Sequence, residues 1–171
     1  MFSRRRKRKD GGAALVEFAL MMPLLLLLLF GIVEFGWVLS ENLDVRQGAR
    51  EGARLTAVNL PTTGVKDTSN VVLGTEICSR MDLVGGDATI TWESDRGQIG
   101  DPGKMEPGDG VRVTVTAPRT TLTGFLDFAF PAGFVNLVSS VEIRIEQEPD
   151  WIDGVYDCRT KVFPFTTTTL P

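Results

Sequence analysis

Few residues in this chain have the type and setting to do chemistry. Two are cysteines, Cys78 and Cys158, and one is a glutamate inside an apolar run, Glu17. A further group is acidic and sits in a Gly/Pro-rich stretch: Glu93, Asp95, Asp101, Glu106 and Asp109. Clustered carboxylates on a loop are oxygen ligands of the kind calcium takes, but this spacing matches no EF-hand, and a solvated hairpin loop is the simpler expectation. The cysteines have no Cys-x-x-Cys spacing and no visible low-pKa setting, so redox catalysis is not expected of them. The chain has no histidine. That removes the commonest general base and metal ligand. No phosphate loop, metal cluster or nucleophile motif is present. The expectation is a protein that is not an enzyme, with no cofactor and no metal. Basic residues are not interleaved with aromatics outside the first ten positions, so no nucleic acid partner is expected either.

The elements that carry these residues follow from composition. The chain has 171 residues, 43% hydrophobic and 23% charged, which fits one ordinary domain. The net charge of -4 hides a division. Arg4, Arg5, Arg6, Lys7, Arg8 and Lys9 make a basic head, whereas residues 40–171 hold 19 acidic and 12 basic side chains, 12 − 19 = −7. Between these lies an apolar stretch from Ala13 to Leu39, interrupted only by Glu17 and Glu34. A helix needs roughly 20 mainly apolar residues to cross a bilayer, so one transmembrane helix, 13–39, is expected. The basic residues before it place the N-terminus in the cytoplasm and the rest of the chain outside. A cleaved secretory signal fits less well, because the run is long and no small-x-small site follows it.

Glu17 stands in an unusual context. A carboxylate near the centre of a span costs about 2.5–3.5 kcal/mol, and less near an end. Gly11-Gly12 separates the basic head from Ala13-Ala14-Leu15-Val16-Glu17-Phe18. Cleavage after Gly12 would make Glu17 the fifth residue of a new chain with a free amine at Ala13, a pattern similar to the leader of type IV pilins. The segment Gly12 to Leu20, then Pro23 and a leucine run, then Gly31-Ile32-Val33-Glu34-Phe35-Gly36, then Ala49-Arg50-Glu51-Gly52-Ala53-Arg54, resembles the TadE-like family. These are pseudopilins of tight-adherence, or Flp, pilus systems. The resemblance runs from about Gly11 to Arg54. It implies residues 1–12 as a basic cytoplasmic leader, with Gly12 and Ala13 as the processing site of a prepilin peptidase. It also implies that Glu17 meets a neighbouring subunit's N-terminal amine during assembly. An opposite charge offsets part of the cost of a carboxylate in hydrocarbon.

No Gly-Pro break occurs between the apolar run and Pro61, so the helix is expected to continue through a stalk, 40–58. From Ala13 to about Leu55 it would measure about 65 Å at 1.5 Å per residue. Pro23 should kink it. Arg46, Arg50 and Arg54 are four apart and share a stripe, either a solvated face near lipid headgroups or part of a packing face. Gly48, Ala49, Gly52 and Ala53 form an adjoining small-residue stripe. Mid-helix glycines cost about 1 kcal/mol each, so they imply close approach of another element, in this chain or in a neighbour, unless they mark local looseness.

Beyond a linker at 59–69, an extracytoplasmic domain, 59–162, is expected. Thr68 or Ser69 would cap a short helix with Leu73, Ile77 and Met81 on one face. Ala88–Glu93, Val111–Thr116 and Val138–Glu146 alternate as strands. Residues 122–138, with Phe125, Phe128, Phe130 and Phe134, read as a core-filling helix and turn, or alternatively as an exposed patch. Outside the cell an even cysteine pair defaults to a disulfide, here Cys78–Cys158, with two free thiols as the alternative. Residues 163–171 read as a mobile tail. The fold class is α+β: a long N-terminal transmembrane α-helix extending into a stalk, then a small antiparallel β-sheet with short helices. The function expected is that of a membrane-anchored pseudopilin-like structural protein, localised to the plasma membrane. Its partners would be the lipid bilayer, a prepilin peptidase, and other pilin-like subunits with their assembly machinery. The alternative is an uncleaved single-pass protein whose outer domain is a binding module.

Overall fold

The computed structural model describes residues 11–58, 66–82, 84, 86–94, 105–120, 122 and 134–162. Most of the leader, the linker 59–65, the loop at 95–104, the Phe-rich segment 123–133 and the tail 163–171 lie outside the described residues, and so do the expectations attached to them.

One helix, α1 (Gly11–Ala57), runs unbroken for 47 residues, about 70 Å at 1.5 Å per residue. It passes through Pro23 without ending. A second helix, α2 (Lys66–Ser79), follows, then four strands: β1 (Thr89–Ser94), β2 (Gly110–Thr120), β3 (Phe134–Arg144) and β4 (Gly154–Asp157). The strands form one antiparallel sheet in the order β3-β2-β1-β4. The α+β plan holds: a long apolar helix precedes a small sheet with one short helix.

Both helices lie on one face of the sheet. α1 packs across β3 and β2, and α2 packs beside β4. The inner face carries Ile90 and Trp92 from β1, Val111, Val113, Val115 and Ala117 from β2, and Tyr156 from β4, all buried. The opposite face is polar, with Arg112, Ser140 and Glu142 exposed and Thr91 and Thr114 paired across β1 and β2. This alternation is the reason the valines of β2 read so clearly as a strand.

The second half of α1 belongs to this core. Val45, Ala49, Ala53, Leu55 and Ala57 are all buried against the sheet and α2. Thr56 connects three elements: its hydroxyl donates to the Gly52 carbonyl at 2.7 Å and accepts from Trp92 Nε1 at 3.0 Å, and its carbonyl accepts from Trp151 Nε1 at 3.2 Å. Residues 41–57 are therefore one layer of the domain that carries the sheet, and no stretch of α1 beyond Glu41 stands as a bare stalk.

Several boundaries differ from those read in the sequence. α2 starts at Lys66, so Thr68 and Ser69 lie inside it, and Met81 falls just past its end, where it is buried. β2 runs on to Thr120 through Pro118. Pairing with β1 stops at Thr116, so Pro118 lies where β2 has β3 alone as its neighbour and its missing N–H costs no ladder bond there. β3 begins at Phe134, which makes residues 134–137 strand in place of the expected helix and turn. β4 was not foreseen. It has four residues, too short to show a period.

Candidate functional site

The residues singled out by the sequence lie along α1 at three levels. At the lowest, Gly12, Ala13 and Glu17 are all exposed, and a Cβ built on Gly12 would meet nothing within 4 Å. The junction between Gly12 and Ala13 lies in the first helical turn, where the backbone N–H groups have no intrahelical partner. From Ala13 to Val33 every side chain faces outward except partly covered Gly31, including Phe18, Met21, the six leucines from Leu24 to Leu29 and Ile32. This is the one helix among the described residues that is long and apolar enough to cross a membrane. The exposed stretch, 21 residues from Ala13 to Val33, is about 32 Å long, close to the roughly 30 Å of a hydrocarbon core.

The second level begins abruptly at Glu34, which is 1% exposed. Its Oε1 accepts a hydrogen bond from the backbone N–H of Leu122 at 2.5 Å. Val38, Glu41 and Val45 continue the same helix face into the domain. Glu41 faces Arg119 of β2 at 3.4 Å, and Arg119 reaches Asp87 at 3.3 Å. Asp87 also pairs with Arg159, which holds its carboxyl below the usual range, against a smaller opposing effect of burial. This chain of charges joins α1, the turn before β1, β2 and the turn after β4. Neither Glu34 nor Glu41 was singled out as a domain contact. The signal was available: both fall seven residues apart on the face that Val38, Val45, Ala49 and Gly52 define.

At the third level the two stripes of α1 face opposite ways. Gly48, Ala49, Gly52 and Ala53 are buried inside this chain's own domain. A Cβ on Gly48 would lie 2.3 Å from Met81 Sδ, and one on Gly52 would lie 3.2 Å from Ile77 Cδ1 and 3.3 Å from Val113 Cγ1. The missing side chains let α1 approach α2 and β2 together. Asp44 fastens the same contact by accepting from the backbone N–H of Val84 at 3.0 Å and of Asp82 at 3.3 Å. On the other side, Arg46, Arg50 and Arg54 are exposed. With Leu43, Gln47, Glu51 and Arg80 they line an open groove of about 810 Å³. Glu51 pairs with Arg54 and Arg80, both at 2.7 Å, and the Arg54 hydrogen bond lowers its pKa.

Cys78 of α2 and Cys158, just after β4, form a disulfide with a Cα–Cα distance of 5.8 Å. It ties α2 to the short edge strand. Thr75 and Tyr156 hydrogen-bond beside it at 2.9 Å. No group of three or more His, Cys, Asp or Glu side chains suited to a metal occurs among the described residues.

This geometry divides the chain into an apolar rod and a polar-faced domain built on the rod's upper half. The TadE-like protein family model matches residues 12–54, about a quarter of the chain. The match covers the exposed rod and most of the part that enters the core, and it is the family that the sequence resembles. No curated protein matches the chain, and no solved structure does.

Proposed function

We propose that this protein is a pseudopilin-like structural subunit of a tight-adherence, Flp-type pilus or a related envelope apparatus. The observation that carries the reading is the single unbroken α1. Its lower half is a bilayer-length apolar rod open on all sides, and its upper half is the core of a disulfide-bonded domain. The TadE-like match over residues 12–54 supports the same assignment. In this reading the chain crosses the plasma membrane once, N-terminus inside, with residues 13–33 in lipid and the domain outside. The basic head sets that orientation, and the oxidising exterior suits the disulfide. A prepilin peptidase cuts between Gly12 and Ala13, after opening of the first helical turn. Glu17, one turn above its own chain's new amine, then pairs with the amine of a neighbouring subunit. The outer domain sets further contacts with pilin-like subunits, and adhesion is a property of the assembly.

The intact mass and N-terminal sequence of the protein from its native membrane test the proposal. A chain beginning at Ala13 is the expected result. A chain retaining Arg4 to Lys9 overturns processing and favours an uncleaved anchor carrying a binding module. The Glu17→Ala variant should insert normally and fail in assembly. Normal fibre formation by that variant removes Glu17 from the mechanism.

A further inference from the structure

The outward face of α1 does not become polar where the domain begins. Phe35, Leu39 and Leu43 recur every four residues above Glu34 and are 69%, 49% and 58% exposed. The next turns on that side carry Arg46, Arg50 and Arg54. Glu51 occupies Arg54 and Arg80, whereas Arg46 and Arg50 make no ion pair with any described residue. The face is thus split along its length: an apolar lower part and a cationic upper part that opens into the 810 Å³ groove.

We infer that this face docks a helix of a different membrane subunit, parallel to α1, that is apolar at the level of Phe35 to Leu43 and carries carboxylates at the level of Arg46 to Arg54. The inference rests on the assembly reading above and names the partner's chemistry. Charge decides between partners. Two copies of this chain enter the membrane in the same sense, so pairing through this face at equal height sets one arginine stripe against the other. Like charges opposed across an interface are a device against the wrong partner. An acidic helix relieves Arg46 and Arg50, and its apolar turns cover Phe35, Leu39 and Leu43. Headgroup phosphates fit less well. The domain already closes on α1 at Glu34 through Leu122, and Arg46 is 12 residues above that contact, about 18 Å along an upright helix.

The test uses the full chain in membranes with Leu43→Cys as a reporter. Cys78 and Cys158 are joined to each other, so the new thiol is the free one. Two copies of different size are co-expressed and oxidised, and the mixed disulfide is measured. Two copies that keep their arginines should cross-link weakly. Pairing one such copy with an Arg46→Glu, Arg50→Glu copy, which supplies the acidic partner, should raise cross-linking about two- to tenfold, and high salt should remove the gain. Two charge-reversed copies should again cross-link weakly. Equal cross-linking in like and mixed pairs overturns the inference. It is also overturned if exchanging anionic for zwitterionic lipid alone brings the unreversed pair to the mixed level, since the arginines then face headgroups. None of these outcomes depends on cleavage after Gly12, so failure here is distinct from failure of the assembly reading.

Discussion

At the residue scale, two carboxylates show how setting decides behaviour. Glu34 interrupts an apolar run, yet it is neither loose nor lipid-facing: it is buried and holds the backbone N–H of Leu122. Glu34→Ala leaves that donor without this acceptor and should cost about 1–3 kcal/mol, read as a lower unfolding midpoint in detergent. Glu34→Gln keeps an acceptor and should lose less. Asp153 is the opposite case. Burial raises its pKa, although Ser94 donates to its carboxylate from both its N–H, at 2.9 Å, and its hydroxyl, at 2.8 Å. A carboxyl with a raised folded pKa binds its proton more tightly folded than unfolded. Its contribution therefore falls as pH rises from the ordinary carboxylate range through the folded value. Asp153→Asn should be as stable as the parent or more so at pH 7, and the difference should vanish in acid, where Asp153 is protonated. A pH series of melting curves on both chains checks this. Asp87 and Glu51 have the reverse sign: the pairing that lowers their pKa is lost as pH falls through the folded values, so acid weakens the links to Arg159, Arg119, Arg54 and Arg80.

At the element scale, two glycines separate packing from helix propensity. A Cβ on Gly74 would lie 2.3 Å from Tyr156 Cδ1 and 2.4 Å from Cγ, against a ring that is buried and hydrogen-bonded to Thr75. Gly74→Ala should destabilise by about 1–3 kcal/mol, since an overpacked site outweighs the roughly 1 kcal/mol gained in helix propensity. Gly52→Ala meets carbons at 3.2 and 3.3 Å that can yield a little, and should fall within about 1 kcal/mol of the parent. Denaturant titration of both variants distinguishes them. The sequence marked Gly48 and Gly52 because their fourfold spacing with Ala49 and Ala53 is a local pattern. Gly74 has no such pattern: its reason is Tyr156, 82 residues away in β4. The valines of β2 announced their strand because one face is buried and the other wet. Val138, on the outer face of β3, is exposed and broke that rhythm, so the first four residues of β3 were absorbed into the Phe-rich segment. Non-local partners are what the sequence does not print.

At the scale of the whole molecule, the membrane rod, the α+β class and the cysteine pair were all legible. Length, composition and parity carry them without knowledge of packing. The boundary between rod and domain was not legible, because Phe35, Trp37 and Leu39 are apolar and Glu34 looks like an interruption. Residues 41–57 form a core layer, so a chain starting at Asn59 leaves Val113, Trp92 and Ile77 uncovered. It should be insoluble or unfolded, whereas one starting at Ser40 should give a cooperative melt by circular dichroism. The Cys78–Cys158 bridge closes a loop of 80 residues, and on the chain-entropy account its loss costs about 4–5 kcal/mol. The double variant Cys78→Ser, Cys158→Ser should show that loss in chemical denaturation and should release β4 first, as read by faster amide exchange at Val155 and Tyr156.

The unbroken course of α1 through bilayer and core has a mechanical meaning. A domain hung on a loop can swivel while its anchor stays still. Here there is no swivel, because the anchor is itself a wall of the domain. A pull or a twist applied at Ala13 travels to Thr56 along continuous helix, interrupted only by the backbone hydrogen bond that Pro23 cannot make. The load is carried in shear by the helix–sheet contact, and no slack segment stretches first. With α1 both rod and wall, the direction in which the sheet points is tied to the angle at which the rod stands.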